Sequence, residues 1–236
     1  MKADFHLHTT ASDGSMTPTQ VIDWAKRTGL DVVAITDHDT VNGVDEAIKR
    51  GEEVGVKVLV GIEISSFSNC EIHILGYNFD YKNPAFKEEL AKIQDMRKKR
   101  NGAILRRLNE LGKPLSFTEE MEGVGRLNMA KEMVERGYVK DVNEAFEKYL
   151  GPKGKAYQEV RRTTPLDAVK LIKKYGGVCE ATICYTSAVV DGQEIFTDEY
   201  FVNLAKQLEE RGADNICLKD MANLLLPFRA YTLVSA

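Results

Sequence analysis

The chain has 236 residues, 43% of them apolar, which suits one large α/β domain or a barrel carrying an insertion. A net charge of −4 gives no electrostatic basis for strong nucleic-acid binding. No apolar run approaches the roughly 20 residues that cross a bilayer, and Met1-Lys2-Ala3-Asp4 runs into a strand rather than a signal peptide, so the expected location is cytoplasmic.

Residues 3–8 read as a strand. Thr17-Pro18-Thr19-Gln20 is a capping box with Pro at the first helical position, and the helix it opens stops near Gly29. Asp31 to Thr36 is a continuous apolar strand of the kind found in buried parallel sheets. A helix over about 43–54 and a strand over 57–62 follow, then a strand from Glu71 to Tyr77. Residues 84–112 predict a long charged helix whose basic run, Arg97-Lys98-Lys99-Arg100, reads as a solvated face. Shorter helices are expected at about 128–136 and 142–150, the second capped by Asp141 with Glu144 in the reciprocal position. Thr164-Pro165 opens a further helix. A strand over 178–185, a helix over 197–211, a strand over 215–218 and a helix over 222–235 complete the chain. The class is α/β. Residues 1–82 form the first part of a barrel, 83–160 a helical insertion and 161–236 the remainder. None of the four cysteines forms a CxxC pair, and their apolar surroundings predict reduced, buried thiols.

All four histidines lie in the first third of the chain. His6 and His8 stand two apart on the first strand, so both imidazoles project from one face. Asp37 and His38 follow the second strand, Glu63 follows the third, and His73 lies in the fourth. Asp13, in Ser12-Asp13-Gly14, sits on the loop after the first strand. In parallel α/β architectures the carboxyl ends of strands converge on one rim. A metal that activates water needs imidazoles and carboxylates meeting at such a place. Taken singly, each is an ordinary strand-end or turn residue. Their succession at strand ends predicts a metal-dependent hydrolytic site.

His6-Leu7-His8-Thr9, Ser12-Asp13-Gly14, Thr36-Asp37-His38-Asp39 and Gly61-Ile62-Glu63-Ile64-Ser65 together resemble the PHP (polymerase and histidinol phosphatase) family, and within it the TrpH-like nucleoside phosphatases and RNases. The resemblance covers about residues 1–178, including Gly125-Arg126 and Gly137-Tyr138-Val139-Lys140-Asp141 of the insertion. It implies a distorted TIM-like barrel binding divalent ions (Mn, Zn or Fe) and a small phosphorylated substrate such as a nucleotide or RNA end. His6, His8 and Glu63 would hold one metal. Glu63 would bridge to a second held with His73, and Asp13 and His38 would contribute to a third. Asp37 would orient a ligand, and Arg126 would contact substrate phosphate.

The pattern then breaks. The family continues with a strand ending in Ala-His-Pro and a late Asp-x-His pair, but this chain has no histidine after His73, and Asn128 stands where the subgroup carries His. From about Val178 the sequence instead resembles the biotin-dependent carboxyltransferase barrel, through Cys179 to Thr186, Tyr200 to Lys206, and Ile216-Cys217-Leu218-Lys219-Asp220-Met221-Ala222. In that family the lysine matching Lys219 is carbamylated and ligates metal, while here the plain reading is a polar residue at a strand end. The chain therefore reads as a chimera of two barrel families. Its expected activity is a metal-dependent phosphoesterase slowed by missing ligands, for which Glu180 or Asp220 would be substitute donors. The rivals are an inert barrel with vestigial metal binding and a carboxyltransferase fragment. With six strands counted, the barrel is short of a full complement, and a homodimer or lowered stability would compensate.

Overall fold

The computed structural model describes residues 1–67, 71–118, 121, 124–158, 163–185, 189–190, 193–194, 196–220, 225 and 227–235. Cys70, Thr186, Met221 and Ala222 lie outside the described residues. The chain divides into two units, Met1–Ile62 with Pro84–Arg162 and Glu63–Asn83 with Thr163–Ala236.

The first unit is built on β1 (Ala3–Leu7), β2 (Val32–Ile35) and the first half of β3 (Lys57–Phe67). β1 pairs parallel with β2, and β2 parallel with β3. All four residues of β2 are buried, as its unbroken apolar run requires. Parallel neighbours need crossovers, supplied by α1 (Pro18–Thr28) and α2 (Val44–Val54). The capping box at the start of α1 forms as expected: Gln20 N–H donates to Thr17 Oγ1 at 3.2 Å, and Thr17 N–H donates to Gln20 Oε1 at 2.9 Å. Gly29 ends the helix in a left-handed conformation, φ 75°, which only glycine adopts without cost. Val21, Ile22 and Ala25 of α1 pack with Val33 and Ile35 of β2 and Ala47 of α2. Each fully buried Ile contributes about 1.5–3 kcal/mol.

The later stretch of this unit holds α3 (Pro84–Glu110), α4 (Arg126–Glu135) and α5 (Val142–Ala145), the last running into one π-helical turn at Phe146–Leu150. Its own core joins Ile104 and Leu108 of α3 to Met129 and Met133 of α4, with Ala145 and Leu150. Two local expectations need correction. The basic run of α3 is not a solvated face: Arg100 is buried and lies against the Asn101 amide oxygen, and Arg97 is drawn to a buried carboxylate. At α5, Asp141 accepts the Glu144 N–H at 2.8 Å, but the Glu144 carboxylate takes the Lys140 N–H, one residue before the anticipated partner.

In the second unit, β4 (Glu71–Tyr77) pairs antiparallel with β5 (Val178–Cys184), in register from Ile72 opposite Ile183 to Tyr77 opposite Val178. β5 pairs parallel with β8 (Asn215–Lys219). Between these strands in the chain lies a two-stranded ribbon, β6 (Val189–Val190) and β7 (Gln193–Glu194), which the sequence did not announce. The helices of this unit are α6 (Pro165–Lys174), α7 (Asp198–Glu210) and α8 (Pro227–Ser235). Gly76 of β4 makes room for α6, since a Cβ there would lie 2.7 Å from Ile172 Cδ1. Cys179 is buried and free, and burial pushes its thiol up to about 12, so it is an inert packing residue. Helices with both parallel and antiparallel strand pairs make the fold α/β, as expected. No helix among the described residues is long and apolar enough to cross a membrane.

Candidate metal centre

The polar residues singled out in the sequence gather in two constellations, one in each unit. In the first unit, β1 ends at Leu7, which leaves His6 on its last residues and His8 just beyond. Their ring centroids lie 5.2 Å apart. The chain leaving β2 carries His38 alongside, with 4.7 Å between the His8 and His38 centroids. Asp13 comes to the same place from the loop after β1. Its Oδ1 is 3.4 Å from His8 Nδ1 and its Oδ2 is 3.7 Å from His38 Nε2. The donor atoms of His8, Asp13 and His38 all lie within 4.8 Å of one another. Two imidazoles and one carboxylate at this spacing suit divalent ions such as Zn, Mn or Fe.

The loop is wound tightly enough to aim Asp13. Ser12 and Gly14 N–H both donate to the Thr9 carbonyl at 3.0 Å, and Thr10 N–H donates to Met16 O. A Cβ on Gly14 would stand 2.5 Å from the His8 carbonyl oxygen, so the turn closes only with glycine at that position. Asp37 fastens this loop from β2. Its fully buried carboxylate accepts from Thr9 N–H at 2.7 Å, Thr9 Oγ1 at 2.7 Å and Ser12 Oγ at 2.5 Å. Ser12 Oγ in turn lies 3.5 Å from His8 Nδ1. Three short donors to one carboxylate make Asp37 an anchor for the His8 loop rather than a ligand in its own right.

Asp39, next to His38, adopts φ 55°, a left-handed turn rare outside glycine. Two side chains of α3 hold it there. Gln94 Nε2 donates to the Asp39 carbonyl at 2.9 Å, and Arg97 Nη1 donates to Asp39 Oδ2 at 2.8 Å. Gln94 was not singled out from sequence and Arg97 was read only as part of a solvated basic run, because nothing in the helix's own pattern names a partner 55 or more positions away. A cleft beside His38 is lined by Asp39, Asn42, Gln94, Arg97, Lys98 and Asn101.

In the second unit, Glu63 on β3 and His73 on β4 meet, with His73 Nδ1 2.5 Å from Glu63 Oε1. Glu63 is completely buried. Lys219, at the end of β8, places Nζ 3.9 Å from the same oxygen. Thr182 is directly opposite His73 in the β4–β5 register, so the two side chains share a face of the sheet. Its Oγ1 is buried and has no hydrogen-bond partner among the described residues. Such an orphan hydroxyl marks a place where a ligand atom or water is wanted.

The remaining sequence candidates occupy local positions. Arg126 is the first residue of α4, with its guanidinium carbon 5.8 Å from the centre of the Phe146 ring. Asn128 accepts the Gly125 N–H through Oδ1 at 2.8 Å and so caps α4. Asp220 accepts the Leu225 N–H at 2.9 Å. Among the described residues, neither Asp220 nor Glu180 joins a group of three or more potential ligands.

The PHP domain model matches residues 4–150. Over 182 residues the chain is 35% identical to the 5'-3' exoribonuclease of Haemophilus influenzae, covering 75% of this chain and 66% of that protein. It is 34% identical over 182 residues to the 3',5'-nucleoside bisphosphate phosphatase of Chromobacterium violaceum, covering 74% of this chain and 64% of that one. The matched stretch thus spans just under two thirds of these curated relatives. A shorter stretch of 69 residues is 42% identical to the pyruvate carboxylase of Staphylococcus aureus, covering 28% of this chain and 6% of that protein, in keeping with the carboxyltransferase resemblance. Among solved structures, an amidohydrolase from Chromobacterium violaceum with bound sulfate and no metal superimposes with a TM-score of 0.77 at 28% identity, over 92% of this chain and 76% of that one.

Proposed function

We propose that this chain, which belongs to the PHP domain family, is a metal-dependent phosphoesterase acting on small nucleotide or RNA-end phosphate esters. The observation that carries the reading is the meeting of His8, Asp13 and His38 within 4.8 Å, on a loop that Asp37 fastens with three hydrogen bonds. Its relatives include a nucleoside bisphosphate phosphatase and an exoribonuclease, which supports a substrate class among the phosphate esters of nucleotides.

The ligands are drawn from His6, His8, Asp13 and His38 in the first unit and from Glu63 and His73 in the second. The donor set fits Mn, Zn or Fe, and the orphan Thr182 hydroxyl beside His73 is the buried polar atom expected where a bound group completes the surroundings. A divalent ion, when bound, lowers the pKa of water and neutralises charge on the phosphoryl oxygens. The chain's own residues do the positioning. Asp37 and Ser12 fix the His8 ring, Asp39 with Arg97 fixes the backbone at His38, and Arg126 supplies a planar cation for substrate phosphate. The rate will fall below that of a family member with the late histidines, because a metal held by fewer donors is bound and placed less firmly.

The test is hydrolysis of a nucleoside 3′,5′-bisphosphate with added Mn²⁺, run beside a His8→Ala variant. Turnover in the parent that disappears in the variant is the expected result. Equal background rates in both would reduce the chain to an inert member of its family.

A further inference from the structure

The second unit holds a contact that neither parent pattern accounts for. Glu63 is 0% exposed, and a carboxylate so placed requires a counter-charge. Its Oε1 already faces two groups, His73 Nδ1 at 2.5 Å and Lys219 Nζ at 3.9 Å. Lys219 belongs to the carboxyltransferase-like segment, while Glu63 and His73 belong to the PHP motif. The lysine's backbone is fixed, because its carbonyl accepts the Tyr185 N–H at 2.9 Å and it pairs with Cys184 in the β5–β8 ladder. Its side chain is 29% exposed, and a four-carbon stem allows the ammonium to withdraw toward solvent.

We propose that Lys219 is a built-in rival of the metal at Glu63: its ammonium and a divalent ion take the same carboxylate oxygen in turn, and the lysine thereby weakens metal binding at the Glu63–His73 pair. An ammonium has three donors and no lone pair, so it cannot join the ion as a ligand. It satisfies the buried carboxylate when no ion is present and must leave when one arrives. This rests on the phosphoesterase reading, since it assumes that Glu63 is a metal ligand.

The experiment compares Mn²⁺ binding to the full chain by electron paramagnetic resonance of the free ion, for the parent and for Lys219→Met, Lys219→Gln, Lys219→Arg and Glu63→Gln, with melting temperatures for each in EDTA and in Mn²⁺. The neutral variants are expected to bind Mn²⁺ roughly fivefold to tenfold more tightly, while melting lower than the parent in EDTA. Lys219→Arg, which keeps the charge, stays near the parent affinity, and Glu63→Gln loses the site. Two neutral replacements keep the result readable if one folds poorly. Equal or weaker Mn²⁺ affinity in the folded neutral variants overturns the rivalry and leaves the phosphoesterase reading intact. No Mn²⁺ binding in any variant, parent included, overturns both.

Discussion

Arg97 on α3 and Asp39, the residue after His38, form an ion pair of 2.8 Å that holds a left-handed turn. Asp39 is only 2% exposed, so removing Arg97 takes a close cation away from a buried carboxylate. Arg97→Met is expected to lower stability by about 2–3 kcal/mol, read as a fall in the urea midpoint. Asp39→Asn, which tolerates the same backbone conformation, should cost less than Asp39→Val. The reverse order would mean that the turn geometry matters little.

Asp37→Ala removes the acceptor of three hydrogen bonds and frees the loop that aims Ser12, Asp13 and His8. Mn²⁺ affinity is expected to fall about 10- to 100-fold, measured by isothermal titration. A variant that binds as tightly as the parent would show that the loop holds its shape without the anchor.

Ligand linkage gives a further readout that needs no substrate. At 100 times the dissociation constant, bound Mn²⁺ should add about 2.7 kcal/mol. In a chain of this size that raises the melting temperature by about 5–10 °C, reversibly with EDTA. His38→Ala should abolish most of the shift. An unchanged shift would move the metal away from His8, Asp13 and His38.

Asp214 carries a pH-dependent contribution in the second unit. The Cys179 N–H donates to its carboxylate at 2.7 Å and Lys173 Nζ lies 2.5 Å away, and these two, in that order, hold its pKa below the usual carboxylate range. A depressed folded pKa means stability fully present above the unfolded value and lost as pH falls through the folded one. The pair is 37–38% exposed, so solvent screening limits the effect to about 0.5 kcal/mol. Melting temperatures of the parent and Asp214→Asn should differ at pH 7 and converge as the pH falls below the usual carboxylate range. A gap that widens in acid would contradict the assignment.

Much of the architecture could be read from the chain because it is written in local chemistry. The unbroken apolar run ending at Ile35, the Thr17-Pro18 cap and the Gly29 stop each specify an element without reference to anything distant. The succession of His8, Asp13 and His38 at loop and strand ends is likewise visible. What escapes depends on pairs far apart in sequence. Arg97 reads as a solvent-facing base because helix periodicity cannot name Asp39 as its partner. Lys219 reads as a strand-end polar residue because no pattern brings β8 toward Glu63. The Glu144 carboxylate finds Lys140 rather than Asp141 because side-chain reach, not spacing, chooses between adjacent N–H groups.

The β4–β5 ladder has a consequence for how the chain is made. β4 carries Ile72, Ile74 and Leu75, all buried, yet its antiparallel partner β5 lies about a hundred residues further on. Closing so long a loop is entropically slow. On the ribosome, β4 leaves the exit tunnel well before β5 has been synthesised, and its unpaired edge with three large apolar side chains then waits in solvent, a template for self-association. The helical stretch that packs its own core from Ile104 to Ala156 is synthesised during that interval. Expression yield should therefore depend on translation speed and temperature more steeply than equilibrium stability alone would dictate.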